Sequence, residues 1–336
     1  MSFSTLADFE RALLDLPCPD STALDAACAR QSQLTKPAGS LGRLEEIAVF
    51  FAGWQGRERP LLEHARAVVF AGNHGVTAQG ISAFPAEVTH QMVANFEAGG
   101  AAINALCAAA GLELDVLALE LDRPTADFTL APAMSEEECL AALSAGAEMI
   151  EPGLDLFVPG EMGIGNTTAA AALCASALGG SVAEWVGPGT GLDPAGIARK
   201  VRVIEAALAF HASAPSTPFE ILRRLGGREI AAITGAILRA RQLRVPVILD
   251  GFICCAAIAP IFVASPGIVD HCLAGHCSAE PGHHRLLERF GLAPLLNLDM
   301  RLGEGSGAAV AVQIIRSALA AHNQMATFAE AGVSGA

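Results

Sequence analysis

Leu154-Asp155-Leu156-Phe157-Val158-Pro159-Gly160-Glu161-Met162-Gly163-Ile164-Gly165-Asn166-Thr167-Thr168 runs from a short apolar segment into a glycine-rich loop and then toward an alanine-rich helical stretch. The apolar run reads as a strand buried on both faces of a parallel sheet. The glycines let backbone approach a ligand, and Asn166 or Thr167 can cap a helix whose amides point at an anion. No Gly-Lys-Ser/Thr triplet follows, so this is not a Walker A loop. An ordinary strand-to-helix turn would also suit these residues, but Glu161 has no packing purpose in such a turn and favours a ligand cradle.

The same alternation extends outward from this loop. Further strands are expected at 67–71, 114–119, 245–249 and 294–298, with the first at 154–158, and helices at 85–110, 167–178, 196–212, 228–242 and 306–322. This order predicts an α/β fold, doubly wound around a mainly parallel sheet. Residues 61–320 form the expected large domain. Residues 1–60, with apolar positions such as Leu6, Phe9, Leu13 and Leu16 at helical spacing, form a small helical one. Three loops, at Gly72-Asn73-His74-Gly75, at Gly160–Thr168 and at Gly303–Gly307, follow expected strands. Ligands bind outside the carboxyl ends of such strands, so the three loops are expected to meet at one crevice.

Composition narrows the function classes. With 336 residues, 52% of them hydrophobic, the chain can bury a large core. Its formal net charge of −14 opposes a polyphosphate backbone, so nucleic acid is not an expected partner. The first fifteen residues lack a signal-peptide core, and the uncharged run 251–269 is cut by prolines. No export and no membrane span are expected, and the location is read as cytoplasmic. Nine cysteines without a CxxC pair read as reduced thiols, mostly small core residues.

Three other segments carry candidate chemistry. Arg301-Leu302-Gly303-Glu304-Gly305-Ser306-Gly307 sets one acid among three glycines. In an apolar crevice burial would raise that acid toward the range of a useful general base; a solvated acid near a helix N-terminus is the alternative. Gly187-Pro188-Gly189-Thr190-Gly191 has the wrong spacing for a dinucleotide fingerprint, while Lys200, in the helix that follows, is either a phosphate partner or a surface lysine. Asp270, His271, Cys272, His276, Cys277, Glu280, His283 and His284 are dense in potential metal ligands, but their spacing matches no zinc ribbon or finger. The favoured reading there is no metal, with Ser278 and nearby amides offering polar contacts. His74 reads better as a satisfied loop histidine than as a ligand.

Together, Lys36-Pro37-Ala38-Gly39-Ser40-Leu41-Gly42-Arg43-Leu44-Glu45-Glu46, Gly72-Asn73-His74-Gly75-Val76, Ile81-Ser82-Ala83-Phe84-Pro85, Gly160–Thr168, Ser278-Ala279-Glu280-Pro281-Gly282-His283 and Asp299-Met300-Arg301-Leu302-Gly303-Glu304-Gly305-Ser306-Gly307 resemble the nicotinate-nucleotide:dimethylbenzimidazole phosphoribosyltransferases over nearly the whole chain. The resemblance implies transfer of phosphoribose from nicotinate mononucleotide to dimethylbenzimidazole or a related base. The products would be α-ribazole phosphate and nicotinate, in assembly of the cobalamin nucleotide loop. It also implies a homodimer, no cofactor, and a Rossmann-like large domain joined to a small helical domain built from both chain ends, 1–60 with 321–336. Glu304 falls on the family's general base. Glu161, Lys200, Ser82, Gly163, Ser278 and Arg301 fall on residues that bind or order substrates, and Phe84, Asn166, Thr167 and Gly303 from the same loops complete the expected set. Pro188, Cys277 and His90 depart from the family's pattern, which bears on the base accepted more than on the reaction.

Overall fold

The computed structural model describes residues 2–189 and 191–334, so Thr190 in the 187–191 loop and the last two residues of the tail lie outside the described residues. The chain runs α1 (Leu6–Leu14), α2 (Ser21–Gln33), α3 (Arg43–Gln55), β1 (Ala65–Ala71), α4 (Glu87–Glu97), α5 (Ala102–Ala110), β2 (Glu113–Ala118), α6 (Glu136–Glu148), β3 (Leu156–Met162), α7 (Asn166–Leu178), α8 (Pro194–Phe210), α9 (Pro218–Leu225), α10 (Arg228–Gln242), β4 (Val247–Leu249), α11 (Phe252–Ala264), β5 (Cys272–Ala274), α12 (Pro281–Phe290), α13 (Ser306–Gln324) and α14 (Phe328–Ala331). The five strands form one sheet in the order β2-β1-β3-β4-β5, and every pairing is parallel.

Alternation along the strands builds two hydrophobic layers. Val68 and Phe70 of β1, Phe157 of β3, and Val247 and Leu249 of β4 pack against α6, α7, α9, α10 and α11. Their neighbours Ala67, Val69, Leu156, Val158 and Ile248 face the other way, against α3, α5 and α13. The sheet is therefore wound on both sides, as the alternation of segments predicted. The strand order reverses at β1, which has β2 on one side and β3 on the other. The crevice outside the carboxyl ends of β1 and β3 is the switch point where such sheets bind ligands.

The two ends of the chain meet on the sheet's second face. Arg30 of α2 donates to the carbonyls of His322, Asn323 and Met325, and Leu34 bridges Thr327. By contrast, α1 packs on the opposite layer, with Phe9 edge-on to Phe219 of α9.

Several expected elements are corrected. The fifth strand is Cys272–Ala274, not 294–298. Segment 294–298 runs beside it with a single bridge, His276 to Leu296. Pro294 lacks an N–H, and beyond Asn297 the chain turns through Asp299 at φ 55°, so no ladder propagates. A strand of three residues is too short to show a period, and Cys272 sits in a segment whose polar residues masked it. The expected helix 85–110 is two helices, broken where Gly99 takes φ 77°. β2 was expected to be buried on both faces; as an edge strand it is only half-buried. Run 251–269 is led by α11, whose first ten residues are all buried, and among the described residues no helix is long and apolar enough to cross a membrane.

Candidate active site

A cleft opens at the carboxyl edge of the sheet, the place where ligands bind in such folds. Its walls include Glu161, Gly163, Asn166, Thr167, Ser278, Arg301 and Gly303 from the expected set, joined by Phe252, His276 and Glu280. A second, smaller cavity shares Gly163, Asn166 and Thr167 and adds Ser82, Pro188 and Lys200. Segments distant in sequence are thus brought to one place by the parallel sheet. Phe84 is not among the residues lining either cavity; it is half-exposed, and its amide donates to Ser82 Oγ. His90 is exposed and paired with Asp122.

At the start of α7 the expected side-chain cap is not formed. The N-cap is Gly165 at φ 97°, and no side chain closes the helix end. Asn166 instead donates its side-chain amide to Glu161, and Thr167 Oγ1 accepts from Lys200 Nζ at 2.9 Å. Lys200 is not a surface lysine: only 1% of it is exposed. Burial draws its pKa down to about 8, against the opposing pull of Glu280. A helix N-terminus beside a buried ammonium is suited to a phosphate. Glu280, held up in pKa by burial, accepts from the Gly189 amide at 3.0 Å and so ties Gly189 to the wall of the larger cleft.

The site concentrates acids. Glu161 is buried, and its carboxyl is pushed well above the usual range, first by burial and then by the charge of Asp250. Glu304 is 5% exposed and sits at φ 63° between Gly303 at 85° and Gly305 at 82°. Three consecutive left-handed residues are unusual, and the middle one carries a side chain at a cost of roughly 1–2 kcal/mol. Burial, then Asp250, raises the Glu304 pKa, while the Ile103 amide at the start of α5 lowers it. Glu304 Oε2 is buried without a hydrogen-bond partner. Glu304 is not among the residues lining the larger cleft; its neighbours Arg301, Leu302 and Gly303 are. It is nevertheless inside the fold, with its loop pressed on Gly160: a Cβ there would come 2.5 Å from the Glu304 carbonyl.

The segment dense in Cys and His is dispersed by the fold. His271 lies edge-on to Trp54, and Cys272 begins β5. His276 approaches Asp250, and exposed His284 pairs with Glu288. His283, whose pKa burial lowers to about 3, is neutral, and its Nδ1 accepts from the Ser278 amide at 2.9 Å. It thereby fixes Ser278 at the cleft wall. Among the described residues no group of three His, Cys, Asp or Glu side chains could hold a metal ion.

Two contributors were missed in the sequence. Asp250, at the end of β4, accepts from the amides of Gly305 and Ala308. Glu229 is fully buried against His74, Oε1 to Nε2 at 2.6 Å, beneath the Gly72 and Gly163 turns. His74 is thus held within the fold through Nε2, but its Nδ1 is buried without a partner among the described residues, so the expected satisfied histidine is only half satisfied. Asp250 closes a strand, and Glu229 lies in the first turn of α10 after Gly226-Gly227, where an acid reads as an ordinary helix-start residue.

Comparison with known proteins agrees with this geometry. A family model described as "Phosphoribosyltransferase" matches residues 16–333. The nicotinate-nucleotide–dimethylbenzimidazole phosphoribosyltransferase of Novosphingobium aromaticivorans is 70% identical over 99% of this chain and 98% of its own length. That of Mesorhizobium japonicum is 58% identical over 99% of each. The crystal structure of CobT from Thermus thermophilus superposes with a TM-score of 0.88 at 44% identity, covering 94% of this chain and 100% of its own. The chain therefore belongs to the nicotinate-nucleotide–dimethylbenzimidazole phosphoribosyltransferase family.

Proposed function

We propose that this chain transfers phosphoribose from nicotinate mononucleotide to dimethylbenzimidazole or a related base, releasing nicotinate and an α-riboside phosphate for assembly of the cobalamin nucleotide loop, with Glu304 as general base. The unprotonated ring nitrogen of the incoming base attacks ribose C1. The bond from C1 to the pyridinium nitrogen breaks, and its electron pair neutralises that nitrogen. Nicotinate leaves without needing a proton, so no general acid is required. The attacking ring becomes cationic and loses its remaining N–H proton to a carboxylate. The balance closes without a cofactor.

The observation that carries this assignment is Glu304 itself: a buried carboxyl of raised pKa, one oxygen of which has no hydrogen-bond partner among the described residues, held in a strained loop. A surface acid would have water for a partner and an ordinary pKa. Lys200 and the open end of α7 take the nucleotide phosphate, and Glu161, Ser82, Gly163, Asn166, Thr167, Ser278, Arg301 and Gly303 surround the two rings and the ribose, with Phe84 at the outer rim beside Ser82. Holding both rings on opposite faces of the sugar supplies the rest of the acceleration. The same reading makes 61–320 the catalytic unit, joined to the helices of 1–60 and 321–336, in a cytoplasmic homodimer. The test is to mix purified protein with nicotinate mononucleotide and a panel of benzimidazoles and purines. Mass detection of riboside phosphate with equimolar nicotinate is expected for a benzimidazole, and its absence with every base contradicts the assignment. Light scattering reads the dimer.

A further inference from the structure

We propose that Asp250 is the positioning residue for Glu304: from the rigid end of β4 its carboxylate grips the backbone just after Glu304 and so decides where the general base stands. The inference rests on the reading of Glu304 as base. Three left-handed residues in a row do not hold themselves in place, and α13, which follows them, has no side-chain cap of its own, its N-cap being Gly305. Asp250 supplies that cap from another element. Its Oδ2 accepts from the Gly305 amide at 3.1 Å and its Oδ1 from the Ala308 amide at 2.9 Å, and it is 1% exposed. His276 stands behind it, Nε2 at 3.3 Å from Oδ1. The room for that imidazole exists because residue 307 is glycine, where a Cβ would collide with the ring.

Both oxygens of Asp250 are engaged, so an amide in its place can accept with only one of them. The groups facing the Glu304 region are Asp250 from β4, Glu161 of β3 across Gly303, His276 beyond β5, and the Ile103 amide of α5. Of these, the charge of Asp250 favours a protonated Glu304, so geometry and basicity are set by one side chain.

The experiment compares Asp250→Asn, His276→Gln and Glu304→Gln with wild type, measuring kcat against pH, the nucleotide KM, and Tm. For Asp250→Asn the expected result is a kcat lowered by about 100-fold, as for a catalytic group displaced by an ångström. The nucleotide KM should stay near wild type, and the acid limb of the kcat profile should move to lower pH because a negative charge has gone. A merely structural role would lower Tm and leave that limb in place; this outcome, or a wild-type kcat, overturns the proposal. Should Asp250→Asn not fold, His276→Gln decides: a several-fold loss of kcat supports the proposal and an unchanged kcat overturns it. Wild-type turnover in Glu304→Gln would instead remove the general-base reading on which the proposal stands.

Discussion

The loop after β3 and the loop before α13 touch at Gly160, yet they hold their glutamates in opposite ways. Glu161 lies in the last turn of a regular strand, and its own loop answers it through the Asn166 amide. The left-handed position in that loop is taken by Gly165. Glu304 occupies the left-handed position itself, has an unpartnered oxygen, and is fixed by an aspartate from a different strand. The difference teaches which acid the fold keeps available. A carboxylate engaged by an amide of its own loop orders that loop, whereas one that keeps an oxygen free at a cost in backbone energy is poised to take a proton.

The comparison can be broken at its strongest point with Glu304→Gln, which keeps shape and removes basicity. Turnover should fall by roughly 100- to 10,000-fold with nucleotide affinity retained. Equal losses in kcat and in affinity would place Glu304 in binding alone. Lys200→Met tests the other end of the site. Loss of a charge-assisted contact should raise the nucleotide KM by about 10- to 100-fold. In the wild type the same KM should rise as pH passes about 8, where the free lysine loses its proton. A KM that is flat across that range argues against the ammonium as phosphate partner.

The smallest effect sharpens the contrast between the two acids. Glu161 has a raised folded pKa, so its contribution runs opposite to that of a salt-bridged carboxylate. The folded state prefers the protonated form, and stability is lost as pH rises from the unfolded pKa toward the folded one. Glu161→Gln should therefore raise Tm at neutral pH, by about 2 °C or more, while impairing catalysis. A lower Tm would mean that the charged form is the one the fold stabilises.

Much of this was legible in the residues because the parallel sheet writes itself as apolar runs that end in glycine. Helix α10 matches its expected span, 228–242, and β1, β2, β3 and β4 lie within two residues of theirs at most boundaries. Strand β5 was not legible: at three residues, Cys272–Ala274 is shorter than any period. Lys200 remained undecided between surface and site because its burial depends on contacts with Gly187, Gly189 and Thr167, which spacing does not encode. Asp250 carries no local mark of its role in the residues around it. Its partners Gly305 and Ala308 are 55 and 58 positions away and meet it only because β4 ends beneath α13. The histidines are the reverse case: close in sequence, they stand on different elements, His271 just before β5, His276 just after it, and His283 and His284 in α12.

The claim that Glu304 is a base of raised pKa is tested most directly by the pH dependence of kcat at saturating substrates, in wild type and in Glu304→Gln. The expected wild-type profile falls on the acid side at a pH above the ordinary glutamate range, and the residual rate of the variant is flat there. An acid limb that persists unchanged in the variant would contradict the account, because the titrating group would then be another residue.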